Sequence, residues 1–108
     1  MNFLKLKEVQ TGMVQLEINI KIIEIMEIMD SKAINLVKDY VLNHLDKSDE
    51  TPSFQIYIVW KVKVLQNWKY LISTSLSDGM YYELTYNGDK KEWYLDAYKK
   101  FENVCIKD

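Results

Sequence analysis

The sequence predicts an α+β fold, in which a four-stranded antiparallel meander has one helix before it and one after it, both packed on one face. Residues 54–64 alternate apolar and polar side chains, which is typical of a half-buried strand. Turn signals at 65–67, 77–79 and 87–88 divide the region that follows into segments of strand length. Helical spacing of apolar residues precedes and follows this region, over residues 31–46 and 95–105.

Residues 1–30 are interpreted as an N-terminal extension to a single α-β4-α domain of residues 31–108. Apolar residues at every second position from Val14 to Ile22 are typical of a strand, whereas Ile22, Ile25, Met26 and Met29 have helical spacing. The segment fits either an added strand that runs into a helix or one long helix, and we favour the strand.

The first helix of the domain is expected to begin at Asp30 or Ser31, because either side chain can cap the first free backbone N–H groups. An apolar stripe follows at Ile34, Val37, Val41 and Leu45. The helix should end near Asp46, since residues 47–52 are polar and close with proline.

The first two turns predict a strand register. A three-residue connection at 65–67 would pair Val64 with Trp68 and Trp60 with Ile72, which keeps the apolar side chains on one face. A three-residue loop at 77–79, with Gly79 in the left-handed conformation, would pair Ile72 with Leu84.

The last turn and the C-terminal segment complete the predicted fold. Asn87-Gly88 fits a two-residue type I′ hairpin that pairs Tyr82 with Trp93 and sets Glu83 opposite Glu92. Residues 95–105 then have helical spacing, with Cys105 on the apolar side.

The face of the sheet away from the helices is expected to be mixed in character, with Val59, Leu71 and Tyr94 among charged residues. Such a face is either covered by residues 14–29 or binds a partner, and an open sheet of this kind also suits a homodimer. The candidate partner-binding residues are Tyr57, Lys61, Lys63, Lys69, Tyr81 and Glu83.

The charge pattern argues against a nucleic-acid partner. The net charge is −2, and all 14 basic residues are lysine, so arginine, the usual bidentate reader of phosphate and guanine, is missing. A nucleic-acid-binding module that uses Tyr57 and the lysines of the sheet face remains an alternative. Acidic clusters at residues 24–30 and 46–50 offer a weaker alternative, in which they imitate a phosphate backbone toward a DNA-binding enzyme.

No residue pattern predicts catalysis, a metal site or a cofactor. His44 is the single histidine and Cys105 the single cysteine, so one chain cannot assemble a His/Cys zinc site. His44 is expected at the C-terminal turn of a helix and Cys105 as a buried thiol. The carboxylates Glu83, Asp89, Glu92 and Asp96 are interpreted as a solvated surface beside lysines, and the protein as not an enzyme.

The expected compartment is the cytoplasm. A lone cysteine forms no internal disulfide, which is typical of a reducing environment. The N-terminal residues lack the pattern of a signal peptide, and no apolar run reaches the roughly 18 residues of a membrane span.

Three stretches of the chain carry a resemblance. They are LQNWK at 65–69, DGMYYELTYNGDK at 78–90 and YLDAYKKFEN at 94–103. With them, residues 31–106 resemble a family of small uncharacterised proteins from phages and prophages of low-GC Gram-positive bacteria.

The resemblance implies a genetic context rather than a chemistry. Small accessory phage genes often encode proteins that take over the host or oppose its defences, and these commonly act by binding a host protein. It therefore implies a non-enzymatic inhibitor of a host protein, most naturally a defence nuclease of the CRISPR type, in the cytoplasm of the bacterial host. A homodimeric structural phage protein is the further alternative.

Overall fold

The computed structural model describes residues 3–45 and 53–108, with side chains from residue 13 onward. One helix, α1 (Phe3–His44), precedes four strands: β1 (Ile56–Val64), β2 (Asn67–Thr74), β3 (Met80–Asn87) and β4 (Glu92–Lys99). The strands form one antiparallel sheet in the order β1-β2-β3-β4. The predicted α+β class and the four-stranded meander are confirmed.

The chain divides into two compact units, one ending at Lys32 and the other beginning at Ala33. In the first unit the favoured strand at residues 14–22 is wrong, because these residues belong to α1. The whole of Met13–His44 lacks glycine and proline, so nothing interrupts the helix. Pairs four residues apart support it, such as Gln15, whose side chain donates to Asn19 Oδ1 at 3.1 Å. Asp30 and Ser31 accordingly lie within α1 and do not begin it.

In the second unit, α1 turns a narrow apolar stripe toward one face of the sheet. Ala33, Val37 and Val41 are buried at four-residue spacing. Val37 and Val41 were predicted, whereas Ile34 and Leu45 are only half-buried. Tyr40 touches Tyr82 of β3 edge to face, with ring centroids 5.6 Å apart. The helix ends at His44, two residues before the predicted end, and the predicted polar segment 47–52 lies outside the described residues.

The core lies between this stripe and the sheet. The buried side chains of the sheet are Trp68, Tyr70, Ile72, Thr74, Tyr82 and Leu84, with Ser73 buried from the other side. The predicted packing of a helix on the face that carries Ile72 and Leu84 is confirmed. We call this the core face.

A β-bulge in β1 overturns the predicted register of the first hairpin. Ile58 pairs with Ile72, but the next pair is Trp60 with Leu71, so the extra residue Val59 has no partner. The turn is two residues long, with Leu65 at φ 55°, and Val64 pairs with Asn67. Because a shift of one residue exchanges the faces, the part of β1 beyond the bulge presents the opposite side chains from those predicted.

The other two hairpins keep the predicted faces but have longer loops. Ile72 pairs with Tyr82 rather than Leu84, and Gly79 has the predicted left-handed conformation at φ 69°. In the third hairpin Tyr86 pairs with Trp93, so Trp93 lies on the core face as predicted. The type I′ turn is wrong, since four residues connect the strands and the left-handed residue is Lys91 at φ 54°.

The predicted C-terminal helix is wrong over its whole length. Residues up to Lys99 belong to β4, and residues 100–108 have no regular secondary structure. β4 alternates Trp93, Leu95 and Ala97 on the core face with side chains on the other face. Cys105 is therefore exposed rather than buried.

Candidate interaction surface

The face of the sheet opposite α1, which we call the outer face, consists of three rows that cross all four strands. Strand pairing defines each row, since paired residues in neighbouring strands point to the same side. The rows are Tyr57–Ser73–Tyr81–Tyr98, Trp60–Leu71–Glu83–Asp96 and Val62–Lys69–Thr85–Tyr94. The outer face thus carries five aromatic side chains.

Most of these aromatic side chains are open to solvent at the two edges of the sheet. The exposed fractions are 50% for Tyr57 and 43% for Trp60 on β1, and 47% for Tyr94 and 52% for Tyr98 on β4. Tyr81, in the middle, is half-buried. Tyrosine and tryptophan combine a large apolar area with a polar group, which is why they are enriched at protein–protein interfaces.

An ion pair occupies the centre of the outer face. Lys69 Nζ lies 2.7 Å from Glu83 Oε1. The hydrogen bond to Glu83 and its charge raise the pKa of Lys69, with smaller contributions from Tyr98 and Asp96. Lys69 and Glu83 therefore form a fixed polar feature between two aromatic edges, with a second carboxylate nearby.

One edge tyrosine is held in place by an acidic neighbour. The Tyr94 hydroxyl donates a hydrogen bond to Glu92 Oε2. This bond, followed by burial and the negative charge of Glu92, raises the pKa of Tyr94. Tyr94 thus presents a neutral ring whose orientation is constrained.

The structure separates the six candidate residues predicted from the sequence. Tyr57, Lys69, Tyr81 and Glu83 share the outer face. Lys61 and Lys63, predicted beside them, belong to the rows of Tyr70 and Trp68 on the core face. Lys63 Nζ lies 5.8 Å from the centre of the Trp68 ring. The bulge at Val59 causes this difference.

Trp60 and Tyr98 are outer-face residues that the sequence analysis missed. Trp60 was assigned to the core face because the bulge was not foreseen, and Tyr98 was assigned to a helix. The alternation of Trp93, Leu95 and Ala97 with Tyr94, Asp96 and Tyr98 was the available signal for a strand.

A cavity of about 660 Å³ opens beside the outer face, where the β2–β3 loop meets the end of β4. Tyr57, Asp78, Tyr81 and Lys99 contribute to its walls. Two polar groups near the cavity are paired within the chain: Ser73 Oγ donates to the Met80 carbonyl, and Asp78 Oδ1 accepts from Met80 N at 3.1 Å. Tyr57 and Tyr81 thus belong both to the outer face and to the cavity wall.

The structure also places His44 and the acidic candidate residues. His44 stacks on Tyr40 at 4.0 Å, and its Nδ1 lies 2.7 Å from the Tyr40 carbonyl oxygen, at the helix end predicted for it. Glu83 faces Asp96, not Glu92 as predicted. Within the described residues, no three His, Cys, Asp or Glu side chains are placed to share a metal ion.

Within the described residues, no helix combines the length and apolar content needed to cross a membrane.

Comparison with known proteins places part of the chain in a family. No curated protein and no solved structure matches the chain. One family model, described as a family of unknown function (DUF6275), matches residues 30–108, which include the end of α1 and the entire sheet. The chain belongs to this family of unknown function, DUF6275.

Proposed function

We propose that this protein is a non-enzymatic phage accessory protein that binds and inhibits a host protein through the outer face. The expected target is a defence nuclease of the CRISPR type in the cytoplasm of the bacterial host. The phage context derives from the resemblance of residues 31–106. The observation that carries the binding function is the outer face itself, with exposed aromatic side chains on both edges and an ion pair between them.

The composition of the outer face fits a protein partner. Energetic hot spots of protein interfaces are enriched in tyrosine and tryptophan, and charged groups at an interface help to fix the orientation of the partner. Here Tyr57 and Trp60 stand on one edge and Tyr94 and Tyr98 on the other. A sheet is also a rigid support, so little conformational entropy is lost when a partner docks on it.

The placement of charge favours a protein over a nucleic acid as the partner. Lys61 and Lys63, which the nucleic-acid alternative requires beside Tyr57, lie on the core face. Lys69, on the outer face, is neutralised by Glu83, and Asp96 adds a negative charge in the same row. A strand of phosphates would meet no net positive charge there.

The non-enzymatic assignment rests on the residue types that the chain contains. One histidine and one cysteine leave few nucleophile–base combinations. His44 belongs to the end of α1, and Cys105 to the irregular stretch after β4.

The proposal is tested by affinity capture with the full-length tagged protein from lysates of low-GC Gram-positive bacteria with active defence systems. The test variant is Tyr57→Ala with Tyr98→Ala, which removes both ends of one outer-face row. The matched control is Lys61→Ala with Lys63→Ala, two changes on β1 that affect the other face. We expect one stoichiometric host protein with the wild type and the control, and its loss with the test variant.

The captured protein is then assayed for inhibition. If it is a nuclease, cleavage of its substrate should stop on addition of the wild type and continue with the test variant. Equal capture by wild type and test variant would contradict binding through the outer face. Binding to labelled oligonucleotides at low salt, where electrostatic binding is strongest, would instead favour the nucleic-acid alternative.

A further inference from the structure

The N-terminal part of α1 carries a large apolar surface that the single chain leaves open. Between residues 13 and 28, nine large apolar side chains have exposed fractions from 46% at Ile18 to 64% at Ile28. They are Met13, Val14, Leu16, Ile18, Ile20, Ile22, Ile23, Ile25 and Ile28. Contiguous apolar patches on monomeric proteins rarely exceed a few hundred Å², so a surface of this kind indicates an interaction site.

Most of the apolar residues fall into two stripes on opposite sides of the helix, whereas Val14 and Ile28 lie between the stripes. At about 100° per residue, Met13, Leu16, Ile20 and Ile23 fall within one sector, which we call the first stripe. Ile18, Ile22, Ile25 and Met29 fall within a sector roughly opposite, the second stripe. The spacings alternate between three and four residues in both, which is the spacing of a coiled-coil seam.

Charged side chains separate the stripes and limit what can cover them. Glu17, Lys21 and Glu24 lie between them on one side of the helix, in the sector that also holds Val14 and Ile28, and Glu27 ends the first stripe after Ile23. A membrane surface or a groove in a globular partner contacts one side of a helix and would leave the other stripe in water. Two opposite seams require helices on both sides.

We propose that residues 13–29 pack against the same segment of further copies of this chain to form a helical bundle. Each copy brings two stripes of four residues each, so a symmetric assembly can cover both at once. Half-exposed aliphatic side chains offer on the order of 80 Å² each, so the stripes together approach the ~800 Å² that each partner buries in a standard interface. Covering two opposite stripes on every helix requires more than two copies.

This assembly goes beyond the proposed binding function and uses a different surface. Residues 13–29 precede the part of the chain that matches the family model, which begins at residue 30. The outer face belongs to the second unit. A bundle of N-terminal helices would therefore give several copies of the outer face to one assembly, and avidity would strengthen binding to a multivalent target.

The test measures the mass of the full-length protein by light scattering over a wide concentration range. One variant, Ile20→Lys with Ile23→Lys, changes the first stripe, and another, Ile22→Lys with Ile25→Lys, changes the second. Lysine favours a helix at least as well as isoleucine, so these variants keep the helix while removing a seam. The control, Lys21→Gln with Glu24→Gln, changes residues between the stripes.

We expect the wild type and the control to have at least twice the chain mass of 12.9 kDa, and each stripe variant to have a smaller mass than the wild type. The tryptophan fluorescence, to which the buried Trp68 contributes, should stay unchanged, which shows that the sheet remains folded. A wild type with the mass of one chain at every concentration overturns the proposal, as does an assembly that neither stripe variant alters. A monomer that co-sediments with phosphatidylcholine vesicles would assign the stripes to a membrane instead.

Discussion

The two faces of the sheet contain similar side chains but differ in what covers them. On the core face Trp68 is 6% exposed and Tyr70 is fully buried, whereas on the outer face Trp60 and Tyr57 are about half exposed. The core-face pair lies on the inner strand β2, and the outer-face pair lies on the adjacent edge strand β1. Residue type therefore does not decide which face of this sheet is the core. The decisive feature is the stripe of α1, since Ala33, Val37 and Val41 can cover one face only.

The largest expected effect is the loss of a core-face leucine. Leu84→Ala should lower the free energy of unfolding by about 2–5 kcal/mol, because it opens a cavity at a fully buried position. The matched control is Leu71→Ala, at a half-buried position on the outer face. For this variant we expect the free energy of unfolding to fall by less than about 1 kcal/mol. Urea denaturation followed by tryptophan fluorescence measures both. Equal losses in the two variants would mean that the outer face is also covered.

The turns that fix the strand register give the next largest effect. A side chain at Gly88 would collide with the carbonyl oxygen of Gln66, where the β1–β2 and β3–β4 turns meet. Asn67 Oδ1 also accepts a hydrogen bond from Gly88 N at 2.9 Å. Gly88→Ala should lower the free energy of unfolding by about 1–3 kcal/mol, because the added methyl group overpacks the contact and forces the backbone to move.

Gly79→Ala is the comparison for this glycine. Gly79 has φ 69°, but an added Cβ would meet Lys100 Cβ at 3.8 Å, an ordinary contact. Its cost should be about 1 kcal/mol, from the left-handed conformation alone. If Gly79→Ala proves the more damaging change in urea denaturation, the close contact of the two turns does not control the register.

The sequence predicted the strands better than the helices, and the reason lies in their periods. Alternation over residues 54–87 is long enough to define strands whatever the loop lengths, and a loop error of two residues keeps the faces. Residues 14–22 are apolar at every second position yet helical, because a helix with stripes on two sides mimics the period of a strand. Residues 95–105 contain helically spaced apolar residues, but β4 pairs with β3 up to Lys99, and tertiary pairing overrides local propensity.

The outer face could be predicted only in part. Tyr57, Lys69, Tyr81 and Glu83 follow from alternation before the bulge and in the two central strands. Lys61 and Lys63 could not be placed correctly, since one unpaired residue, Val59, exchanges the faces of the following segment. A valine in an apolar run gives no sequence signal for a bulge, whereas glycine or proline would have given one.

A smaller effect on stability is expected at alkaline pH, where a tyrosine on the core face should respond differently from one on the outer face. Burial, with help from Asp78 and Tyr40, raises the pKa of Tyr82 above 10.0. Above pH 10 the unfolded chain loses this proton more readily than the folded protein, so stability falls as pH rises toward the folded-state pKa. Tyr82→Phe should reduce this alkaline loss of stability. The measurement is the decrease in the thermal unfolding midpoint from neutral pH to pH values above 10.

The matched control for Tyr82 is Tyr94→Phe. The pKa of Tyr94 is raised as well, chiefly by its hydrogen bond to Glu92, but water screens an exposed pair on the outer face. We expect the alkaline loss of stability in this variant to stay close to that of the wild type. A larger effect for Tyr94→Phe than for Tyr82→Phe would contradict the assignment of the buried face.

The smallest effect on stability is expected at the centre of the outer face. Glu83 raises the pKa of Lys69 above 10.5, so Lys69 keeps its charge at neutral pH, and the contribution of this shift to stability is lost only as pH rises through the folded-state pKa. The Lys69 side chain is 46% exposed, however, and exposed ion pairs contribute little when salt screens them. Lys69→Gln should therefore leave the urea midpoint at neutral pH unchanged within error.

The same substitution should weaken binding of the captured host protein, because a partner that covers the outer face would remove the ion pair from water and orient itself on it. Lys63→Gln, on the core face, serves as the control and should bind as the wild type does. Isothermal titration measures both variants. If Lys69→Gln leaves the urea midpoint unchanged but lowers the affinity for the host protein, the ion pair contributes to binding rather than to stability. If the substitution changes neither quantity, the aromatic edges of the outer face, rather than its charged centre, determine binding.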